Sequence, residues 1–471
     1  MGDKIGVAIL AAGMGKRMGV STAKPLVPLM GKCLIDFSIN AVKKFAEEMR
    51  KEIKLGVVVG HQKEKIESHI LSEHLELKVS FPFQKEQLGT ADALKSYFQD
   101  CKWSTETDYT IVMCADTPMI SSDELIALWT EMENQKLEAV AATFSLSNPH
   151  GYGRIQRADV GFKIIEEKDA DSEQKKIQEV NSGLYIFKTS MIKKALDEVD
   201  SQNKSGEFYL TDVFQDNRNV GPVLFYDSKP FQGINNPQQL SAALHDMKVK
   251  INKKHQENGV FVLDTAHTYI EPDVKIKSGT TIFANCFLHG STTVGEGVTV
   301  EPGCILKDSV IDDNVKLKAY SYFEGCYVSS SSQVGPFARL RPGADLGEGC
   351  KVGNFVEIKK ANLDKDVSVS HLSYIGDAEI GENVNIGCGF ITCNYDGGEK
   401  HTTKIGKNSF IGSDTQMIAP VNVGESAFVA SGSTINQDVP DQGFAIARGK
   451  QVVKEKMAAR FLKGKWSISK R

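Results

Sequence analysis

The sequence of 471 residues has no long hydrophobic run, no marked excess of either charge and no closely paired cysteines. No apolar segment approaches the roughly 18 residues that a membrane span needs, and the start lacks the features of a signal peptide, so we expect neither membrane insertion nor export. The net charge of −4 gives no overall electrostatic footprint for nucleic acid. The nine cysteines form no CxxC pair, and the closest spacing, Cys388 to Cys393, fits neither a zinc site nor a disulfide framework. Reduced thiols and a cytoplasmic location are therefore expected.

The length and composition predict a folded protein with more than one core. Hydrophobic residues make up 41% of the chain and charged residues 25%, which is the ordinary globular range. A chain of this length is about three times a typical single domain. Only 16 of the 41 glycines lie in residues 1–240, whereas 25 lie in residues 241–471. This asymmetry predicts a domain boundary near residues 240–260.

Residues 1–130 alternate segments typical of strands and of helices. The strand-like segments are 7–11, 56–59 and 109–114, and the helix-like segments are 34–49, 91–98 and 123–133. This alternation predicts a mainly parallel sheet covered by helices, with ligands bound beyond the carboxyl ends of the strands. Residues 240–256 are polar and lysine-rich, which predicts a connecting helix.

The second half repeats an aliphatic residue at every sixth position. The three runs that keep this period are Ile270, Ile276, Ile282, Leu288, Val294, Val300 and Leu306; Val334, Leu340, Leu346, Val352 and Ile358; and Ile405, Ile411, Met417, Val423, Val429 and Ile435. Such a period predicts short strands that stack coil on coil, with the aliphatic residues filling a prism. The period is interrupted at 363–375 and 390–404, where we expect loops that leave the stack.

A small glycine-bearing turn follows the first predicted strand. It reads Ala12-Gly13-Met14-Gly15-Lys16-Arg17-Met18, and Lys24 follows soon after. Its backbone N–H groups and basic side chains suit a phosphate, although an ordinary tight turn between strand and helix is the alternative. It is neither a Walker loop nor a dinucleotide fingerprint, because GxxxxGK[ST] and the third glycine of GxGxxG are both absent.

Further motifs make a resemblance specific. LAAGMGKRM, KPL, QLGTADAL, ADTPMI, GYGRI, EEKDA, NSGLYIF, EFYLTDV and GINN occur in an order that resembles the sugar-1-phosphate nucleotidyltransferases. The hexapeptide region adds RLRPGA, GNFVEIKKA, HLSYIGDAEIG and ITCNYDG. Over nearly its full length the chain resembles the bacterial bifunctional family that joins N-acetylglucosamine-1-phosphate uridyltransferase to glucosamine-1-phosphate N-acetyltransferase.

The resemblance implies an α/β fold in two parts. We expect a Rossmann-like nucleotidyltransferase domain at 1–239, a linker helix at 240–258, a left-handed parallel β-helix at 259–447 and a basic tail at 448–471. The implied reactions are acetyl transfer from acetyl-CoA to glucosamine 1-phosphate, then uridylyl transfer from UTP with release of pyrophosphate, giving UDP-N-acetylglucosamine for cell-envelope precursors. A homotrimer with acetyltransferase sites between subunits is also implied, and these small molecules are the expected partners.

The family's nucleotidyltransferase positions fall on residues of suitable chemistry. Arg17 and Lys24 match the catalytic cations placed against the triphosphate. Asp116 and Asn235 match the magnesium ligands and offer the hard oxygen atoms that Mg²⁺ prefers, whereas an aspartate at a strand end could instead cap a helix. The other matched nucleotide and sugar positions are Leu10, Ala11, Ala12, Gly13, Gln84, Gly89, Thr90, Gly153, Glu166 and Asn181.

The acetyltransferase positions cluster around the two interruptions of the period. His371 matches the general base, although a lone histidine is more often structural. The positions that match the acceptor sugar phosphate are Arg341, Lys359, Tyr374 and Asn385. The positions that match the acetyl-CoA side are Cys388, Asn394, Tyr395, Ser413, Ser431 and Arg448.

The chain departs from the family pattern at four places. Lys16 stands where threonine is usual, Lys24-Pro25 reverses the usual order, and Gly449-Lys450-Gln451 diverges after Arg448. Cys388 replaces alanine, either as a small tolerated substitution or as a thiol capable of covalent transfer. The tail from residue 448 holds nine basic residues against one acidic residue, so it is either a solvated end or part of an anion site.

Two other functions fit the same two-domain plan. A related nucleotidyltransferase with a purely structural β-helix would lack the constellation around His371. A regulatory subunit without catalysis would have lost the cations and magnesium ligands of the first domain. Both sets of residues are present, so the bifunctional enzyme is the favoured prediction.

Overall fold

The chain divides into two compact units, Met1–Met247 and Lys248–Arg471. The structure, a computed structural model, describes residues 3–13, 15–19, 21–101, 103–214 and 219–462. The Lys16 side chain and the end of the basic tail, 463–471, lie outside this description. Within the described residues, none of the helices combines the length and apolarity of a membrane-spanning segment.

The first unit is built on a nine-stranded sheet and a separate hairpin of β2 and β3. Its strands are β1 (Lys4–Leu10), β2 (Pro28–Leu29), β3 (Lys32–Cys33), β4 (Glu52–Val58), β5 (Val79–Ser80), β6 (Tyr109–Cys114), β7 (Ala139–Ser145), β8 (Arg154–Arg157), β9 (Phe162–Ile165), β10 (Glu179–Lys188) and β11 (Val220–Phe225). The helices of the chain are α1 (Leu34–Met49), α2 (Lys63–Glu73), α3 (Thr90–Asp100), α4 (Ser122–Asn134), α5 (Thr189–Glu198), α6 (Pro237–Glu257) and α7 (Ala458–Leu462).

The sheet order is β11-β7-β10-β6-β1-β4-β5, and β10 is the strand that runs antiparallel to both of its neighbours in this order. β1 pairs in parallel with both β4 and β6, which confirms the predicted mainly parallel sheet. Because β1 and β6 end side by side at Leu10 and Cys114, the loops that follow them open at the same edge. Cross-strand bonds continue past the strand ends, since the Ala115 N–H donates to the Leu10 carbonyl at 3.1 Å. The predicted ligand-binding edge is therefore formed by these two loops.

Helix α1 has the bounds that the sequence predicts. Asp36, in its first turn, accepts a hydrogen bond from the Cys33 N–H at 2.8 Å and so caps the helix. Its apolar face, including Ile35, Ile39 and Phe45, is buried in the core of the sheet. The helix ends at Met49, and the next residue, Arg50, adopts a left-handed conformation with a φ of 51°.

The second unit is a left-handed parallel β-helix. Its strands are β12 (Phe261–Val262), β13 (Tyr269–Ile270), β14 (Lys275–Ile276), β15 (Thr281–Ile282), β16 (Phe287–His289), β17 (Thr293–Val294), β18 (Thr299–Val300), β19 (Ile305–Lys307), β20 (Val310–Ile311), β21 (Lys316–Leu317), β22 (Tyr322–Glu324), β23 (Tyr327–Val328), β24 (Gln333–Val334), β25 (Arg339–Leu340), β26 (Ala344–Leu346), β27 (Lys351–Asn354), β28 (Glu357–Leu363), β29 (Ser368–His371), β30 (Tyr374–Ile380), β31 (Asn385–Ile386), β32 (Ile391–Cys393), β33 (Thr403–Ile405), β34 (Phe410–Ile411), β35 (Gln416–Ile418), β36 (Val421–Val423), β37 (Phe428–Val429), β38 (Thr434–Ile435) and β39 (Phe444–Ala445). The periodic aliphatic residues form one continuous core along this stack, with Ile276 partly buried against it. The predicted hexapeptide architecture is confirmed.

The two interruptions of the period have different structural causes. At 363–375 no loop leaves the stack, because β28 pairs directly with β30 and the coil is one residue shorter than three hexapeptides. The expectation of a loop there was wrong. A coil with one turn residue fewer moves the aliphatic residues out of the six-residue period, but its strands still pair with those of the neighbouring coils. At 390–404 the expectation is confirmed. Ile386 pairs with Ile411, so this coil is longer than its neighbours, and a loop between β32 and β33 accounts for the added length.

Helix α6 covers the predicted connecting helix at 240–256 and extends beyond it at both ends. The division between the two compact units falls inside this helix.

Candidate active sites

A cavity of about 360 Å³ opens at the carboxyl edge of the first sheet. Its walls come from the loop after β1, the start of α3 and the loop after β6. Nine of the residues predicted from the sequence line it: Leu10, Ala11, Ala12, Gly13, Lys24, Gln84, Gly89, Thr90 and Asp116. The fold thus brings together positions that lie as far apart in the sequence as Leu10 and Asp116.

The predicted cations and magnesium ligands form one hydrogen-bonded cluster. The Lys24 ammonium binds the Asp116 carboxylate and donates to Asn235 Oδ1 at 2.8 Å. Arg17 donates to the same Asn235 oxygen at 3.1 Å. Pro25 lies buried in a short 3-10 turn, Lys24–Leu26, so the reversed Lys-Pro order still delivers Lys24 to the cluster. The turn before it brings Gly15 so close that a Cβ there would lie 2.7 Å from Lys24 Cβ.

The donor atoms of this cluster suit a hard cation. Asp116 contributes a carboxylate and Asn235 an amide oxygen, and both face the same lysine ammonium. Oxygen donors of this kind are those that Mg²⁺ prefers. The Lys24 ammonium already contacts both of these oxygen donors, so the two side chains suit a positively charged ligand such as the expected metal ion.

Gln84 lies in the wall of the cavity with only 5% of its surface exposed. Its amide nitrogen donates to the Gly89 carbonyl at 3.1 Å and to Asp92 Oδ2 at 2.8 Å. Both amide hydrogens are therefore used, and Oε1 is the polar atom left to accept a bond from a ligand. Gly89 has a φ of 126°, and a Cβ there would lie 2.4 Å from the Phe208 carbonyl oxygen, so this turn needs glycine.

A second cavity, of about 460 Å³, shares Asp116 with the first. Its lining includes Arg17, Gly153, Asn181 and Asn235. The Asn181 N–H donates to the Gly153 carbonyl at 2.9 Å, which joins two of the predicted sugar positions. The two cavities together offer room for a nucleotide and a sugar on either side of the cation cluster.

Glu166, the third predicted sugar position, is partly buried beside Gly153. Thr211 donates to its Oε1 at 2.9 Å. Burial raises the pKa of the Glu166 carboxyl above its ordinary value, and the nearby carboxylates of Asp212 and Asp169 add to this rise. A Cβ on Gly153 would lie 3.6 Å from Glu166 Oε1, so the glycine keeps the approach to this carboxyl open.

In the β-helix, the predicted base and the acetyl-CoA positions form a column along one corner. Asn354 pairs with His371 on neighbouring strands. The same register continues through the coils that contain Ile386, Ile411 and Val429. Two residues after these pairs, the corner positions of successive coils are Asn354, His371, Cys388, Ser413 and Ser431. Arg448 joins the far end, since its guanidinium donates to the Ser431 carbonyl at 2.9 Å.

His371 is exposed at this corner and bonded at one ring nitrogen. Its Nδ1 lies 2.8 Å from Asn354 Oδ1. Because an amide oxygen only accepts, Nδ1 must carry the proton and Nε2 is left with a free lone pair. This is the tautomer that a general base acting through Nε2 requires.

The predicted phosphate ligands lie on a neighbouring face of the β-helix. Arg341 and Lys359 occupy the same position on successive coils. The ammonium of Lys400, from the loop between β32 and β33, lowers the pKa of Lys359, and Arg341 adds to the effect. Glu357 binds Arg341 at 2.8 Å. This concentration of positive charge suits a phosphate monoester.

The other acceptor positions do not all join this group. Tyr374 lies over Gly376, the residue that pairs with Lys359, because a Cβ on that glycine would lie 2.4 Å from the tyrosine hydroxyl. Asn385 is exposed on β31, which belongs to a different sheet of the β-helix. One chain therefore assembles the Arg341, Lys359 and Tyr374 group but holds Asn385 on another face.

The loop between β32 and β33 is held by its own polar contacts. Asn394 is buried and binds the Asp377 carboxylate, while Tyr395 is exposed and donates to the Gly397 carbonyl at 2.7 Å. Asp396 accepts bonds from two backbone N–H groups and binds the His401 ring at 2.7 Å. These bonds hold the pKa of the Asp396 carboxyl below its ordinary value.

Comparison with known proteins decides the family. Residues 7–228 match the model of the nucleotidyl transferase family, residues 270–344 that of the GMPPB C-terminal domain, and residues 402–437 that of the hexapeptide repeat of succinyl-transferase. The chain is 40% identical to the bifunctional protein GlmU of Brevibacillus brevis over 461 residues, covering 96% of both chains. It is 39% identical to the GlmU protein of Clostridioides difficile over 453 residues, covering 95% of this chain and 96% of the relative. The GlmU protein of Thermosipho africanus is 40% identical over 445 residues, covering 94% of this chain and 95% of the relative.

The chain belongs to the GlmU family. This confirms the predicted resemblance over nearly the full length, in both the nucleotidyltransferase and the hexapeptide regions. As a GlmU-family protein, it is an enzyme with two transferase domains.

Sequence reasoning missed several residues of this GlmU-family chain. Asn354 and His371 stand one coil apart, so the coil length would have found Asn354. Lys400 lies within the predicted loop, but only the fold brings it to Lys359. Gln87 lines the first cavity and donates to the Ala12 carbonyl at 2.6 Å, thereby supporting the turn after β1. Gln87 opens the quoted motif QLGTADAL, but its contact with the Ala12 carbonyl depends on the fold.

Cys114 lines both cavities of the first unit, and its thiol has a raised pKa. Burial raises the pKa of this thiol to about 12, and the Asp116 carboxylate adds to the rise. A thiol that stays protonated is a poor nucleophile and a poor metal ligand. We therefore assign it no chemical role.

Proposed function

We propose that the two sites divide the work of a bifunctional GlmU enzyme between the residues described above. The chain transfers an acetyl group from acetyl-CoA to glucosamine 1-phosphate, and then a uridylyl group from UTP to N-acetylglucosamine 1-phosphate with release of pyrophosphate. The observation that carries this function is the full-length relationship to GlmU proteins together with both residue constellations.

In uridylyl transfer, the sugar phosphate attacks the α-phosphorus of UTP and pyrophosphate leaves. Such a reaction depends on positioning and on neutralising charge. Lys24 and Arg17 supply positive charge at the junction of the two cavities, where the phosphates of both substrates meet. The backbone N–H groups of the turn around Gly13 add hydrogen-bond donors for the triphosphate.

The orientation of Gln84 favours uracil over cytosine. Its Oε1 accepts a bond, so the base must present a donor at the matching position. Uracil carries an N–H at ring position 3, whereas cytosine carries a lone pair there. Asp92 thus acts on base choice indirectly, by holding the amide in one orientation.

Asp116 and Asn235 would hold Mg²⁺. When bound, Mg²⁺ neutralises the charge on the triphosphate and on the leaving pyrophosphate. With Mg²⁺ bound, the Lys24 ammonium would no longer contact the oxygens of Asp116 and Asn235. It would then be free to contact a phosphate oxygen.

In acetyl transfer, Nε2 of His371 removes a proton from the amine of glucosamine 1-phosphate. The amine nitrogen of the sugar then attacks the thioester carbonyl and forms a C–N bond. The C–S bond breaks, and coenzyme A takes up a proton and leaves as the thiol. Asn354 positions the ring by accepting the Nδ1 proton. Arg341, Lys359 and Lys400 bind the phosphate of the acceptor sugar.

The column beyond His371 receives acetyl-CoA. Ser413 and Ser431 offer hydroxyl and backbone groups on successive coils, and Arg448 is available for a phosphate of the cofactor. Asn394 and Tyr395, in the loop between β32 and β33, are assigned to the acetyl-CoA side by their match to the family pattern. Cys388 serves as a small side chain between base and cofactor, and the acetyl group passes directly to the amine.

The protein works as a homotrimer in the cytoplasm. Asn385 lies on a different face from Lys359 and Tyr374, so a neighbouring subunit is needed to complete the acceptor site. All nine cysteines are free thiols, as expected in a reducing compartment.

Single substitutions separate the two activities. We expect Asp116→Ala to abolish pyrophosphate release from UTP and N-acetylglucosamine 1-phosphate while thiol release from acetyl-CoA continues. His371→Ala should do the reverse. Both activities are measured on the same purified trimer, with Asp159→Ala as the control because its exposed side chain, in the turn between β8 and β9, lines neither cavity. Loss of both activities in either folded variant would refute the division of work.

A further inference from the structure

Four side chains of the kinds that bind metals, none of them assigned to an active site, meet in the first unit where α1 begins and α2 ends. Cys33 caps α1 and Asp36 lies in its first turn, while His69 lies in α2 and His74 directly follows it. The ligand atoms of Cys33, Asp36 and His69 all lie within 4.8 Å of one another. The four residues come from two separate segments of chain, 33–36 and 69–74, so no cysteine spacing in the sequence reveals the group.

The contacts within this group resemble those of a preformed ligand set. His69 Nε2 lies 2.9 Å from Asp36 Oδ1 and 3.1 Å from its Oδ2. His74 Nε2 lies 3.0 Å from Asp36 Oδ1. The side chains of Asp36 and His74 are each only 6% exposed, so both are placed in the interior by the fold. The His69 side chain is 22% exposed, which leaves a path for an ion from solvent.

We propose that Cys33, Asp36 and His69 bind a divalent transition metal of the Zn²⁺ class. A thiolate, an imidazole and a carboxylate form the mixed soft and borderline donor set that Zn²⁺ accepts, and three protein ligands leave a fourth position for water. Mg²⁺ demands oxygen donors and is excluded here, so this site and the Asp116 site take different metals. His74 keeps its bond to Asp36 Oδ1 and holds the carboxylate in orientation.

Metal binding would tie the site to the turn that carries Lys24. The Cys33 thiol donates to the Leu26 carbonyl at 3.4 Å, and Leu26 closes the 3-10 turn that begins at Lys24. Burial, helped by the Asp36 carboxylate, raises the pKa of this thiol to about 11, so the metal must displace its proton. A metal bound to the Cys33 sulfur would replace the bond to Leu26 and cross-link the start of α1 to α2. The inference does not depend on either transferase activity.

Cobalt binding tests the proposal. Full-length protein is stripped with a chelator, returned to excess Mg²⁺ and titrated with Co²⁺, which reports a thiolate ligand by near-ultraviolet charge-transfer absorption and tetrahedral geometry by its visible bands. We expect saturation at one equivalent per chain, displacement by Zn²⁺, and a Zn²⁺-dependent rise in melting temperature. Cys33→Ser should abolish the charge-transfer band, and His69→Gln should weaken binding about tenfold or more.

Two controls keep the outcome decisive. Cys101→Ser removes a buried thiol of the same unit, and His61→Gln removes an imidazole near the start of α2, so both should bind as the unchanged protein does. If Cys33→Ser does not fold, His69→Gln carries the test, because its side chain is partly exposed on a helix. Absence of saturable Co²⁺ binding, or an unchanged spectrum in both variants, would overturn the proposal.

Discussion

The contact between Asn354 and His371 makes a prediction about the rate and pH dependence of acetyl transfer. In Asn354→Ala the ring loses the acceptor that fixes its Nδ1 proton. A neutral hydrogen bond at an exposed position is worth about 1 kcal/mol, which corresponds to about a fivefold loss of kcat. Removal of the base itself, in His371→Ala, should cost about 10²- to 10⁴-fold. The two variants should therefore differ by at least an order of magnitude.

Asn354→Asp gives the sharper test because it should move the pH dependence of kcat in a defined direction. A carboxylate acceptor makes the bond about twice as strong when the imidazole is charged, which stabilises the protonated ring by about 1 kcal/mol more than the amide does. Since only the neutral ring can act as base, the acid limb of the kcat profile should move to higher pH by about one unit. In Asn354→Ala the same limb should move to lower pH.

The assay is continuous detection of coenzyme A thiol between pH 5 and 9, at saturating acetyl-CoA and glucosamine 1-phosphate. Pyrophosphate release from UTP and N-acetylglucosamine 1-phosphate, measured on the same samples, should not change and serves as the control for folding. If the acid limb stays in place in both Asn354 variants, the assignment of Asn354 as the residue that positions His371 is refuted.

Three further predictions concern binding and stability. Gly89→Ala should lower the free energy of unfolding by about 3 kcal/mol or more, because its Cβ would lie 2.4 Å from the Phe208 carbonyl oxygen at a φ of 126°; a urea midpoint equal to that of the unchanged protein would contradict this. Lys400→Ala should raise the KM for glucosamine 1-phosphate about five- to tenfold with little change in kcat, since it removes charge that binds substrate and transition state alike; a lower kcat at constant KM would argue for a different role. Burial, assisted by Asp200 and Asp169, raises the pKa of Asp212 to about 6 from an ordinary 3.8. Because the folded state binds this proton more tightly, the protonated Asp212 carboxyl stabilises the protein below pH 4, and this stabilisation is lost as the pH rises to 6. The side chain is only partly buried and water screens its charge, so Asp212→Asn should stabilise the protein by only about 1 kcal/mol at pH 7 and by much less at pH 4. Thermal melts of the variant and the unchanged protein at both pH values test this prediction. An equal change in melting temperature at pH 7 and pH 4 would refute it.

The architecture was predictable because its signals are local or periodic. Helix α1 follows from a capping residue and an apolar stripe within one short segment, and its bounds agree with the sequence prediction. The β-helix follows from aliphatic residues that keep one period over many coils. The interruption at 363–375 was misread because the loss of one turn residue and the insertion of a loop break a period in the same way.

The sites were only partly predictable, since their contacts join distant segments. The resemblance supplied Lys24, Asp116 and Asn235 separately, but their shared hydrogen bonds depend on the fold. The bond between Asn354 and His371 depends on a coil that is one residue shorter than three hexapeptides, and the regular period hides such a coil. Lys400 reaches its partners through a loop whose path no period describes.

The corner column of the β-helix makes the number of coils part of the catalytic geometry. His371 and Ser431 stand three coils apart, which at about 4.8 Å per coil is about 14 Å. A solenoid tolerates the gain or loss of a whole repeat, because each coil contacts only its neighbours. Removing one coil between these two residues would thus preserve the fold but shorten the span by about 4.8 Å, far more than the roughly 1 Å misplacement that costs about 100-fold in rate. In the proposed acetyl transfer, the number of whole coils therefore sets the distance between the base and the cofactor positions, and so the length of the acetyl-CoA arm that can reach His371.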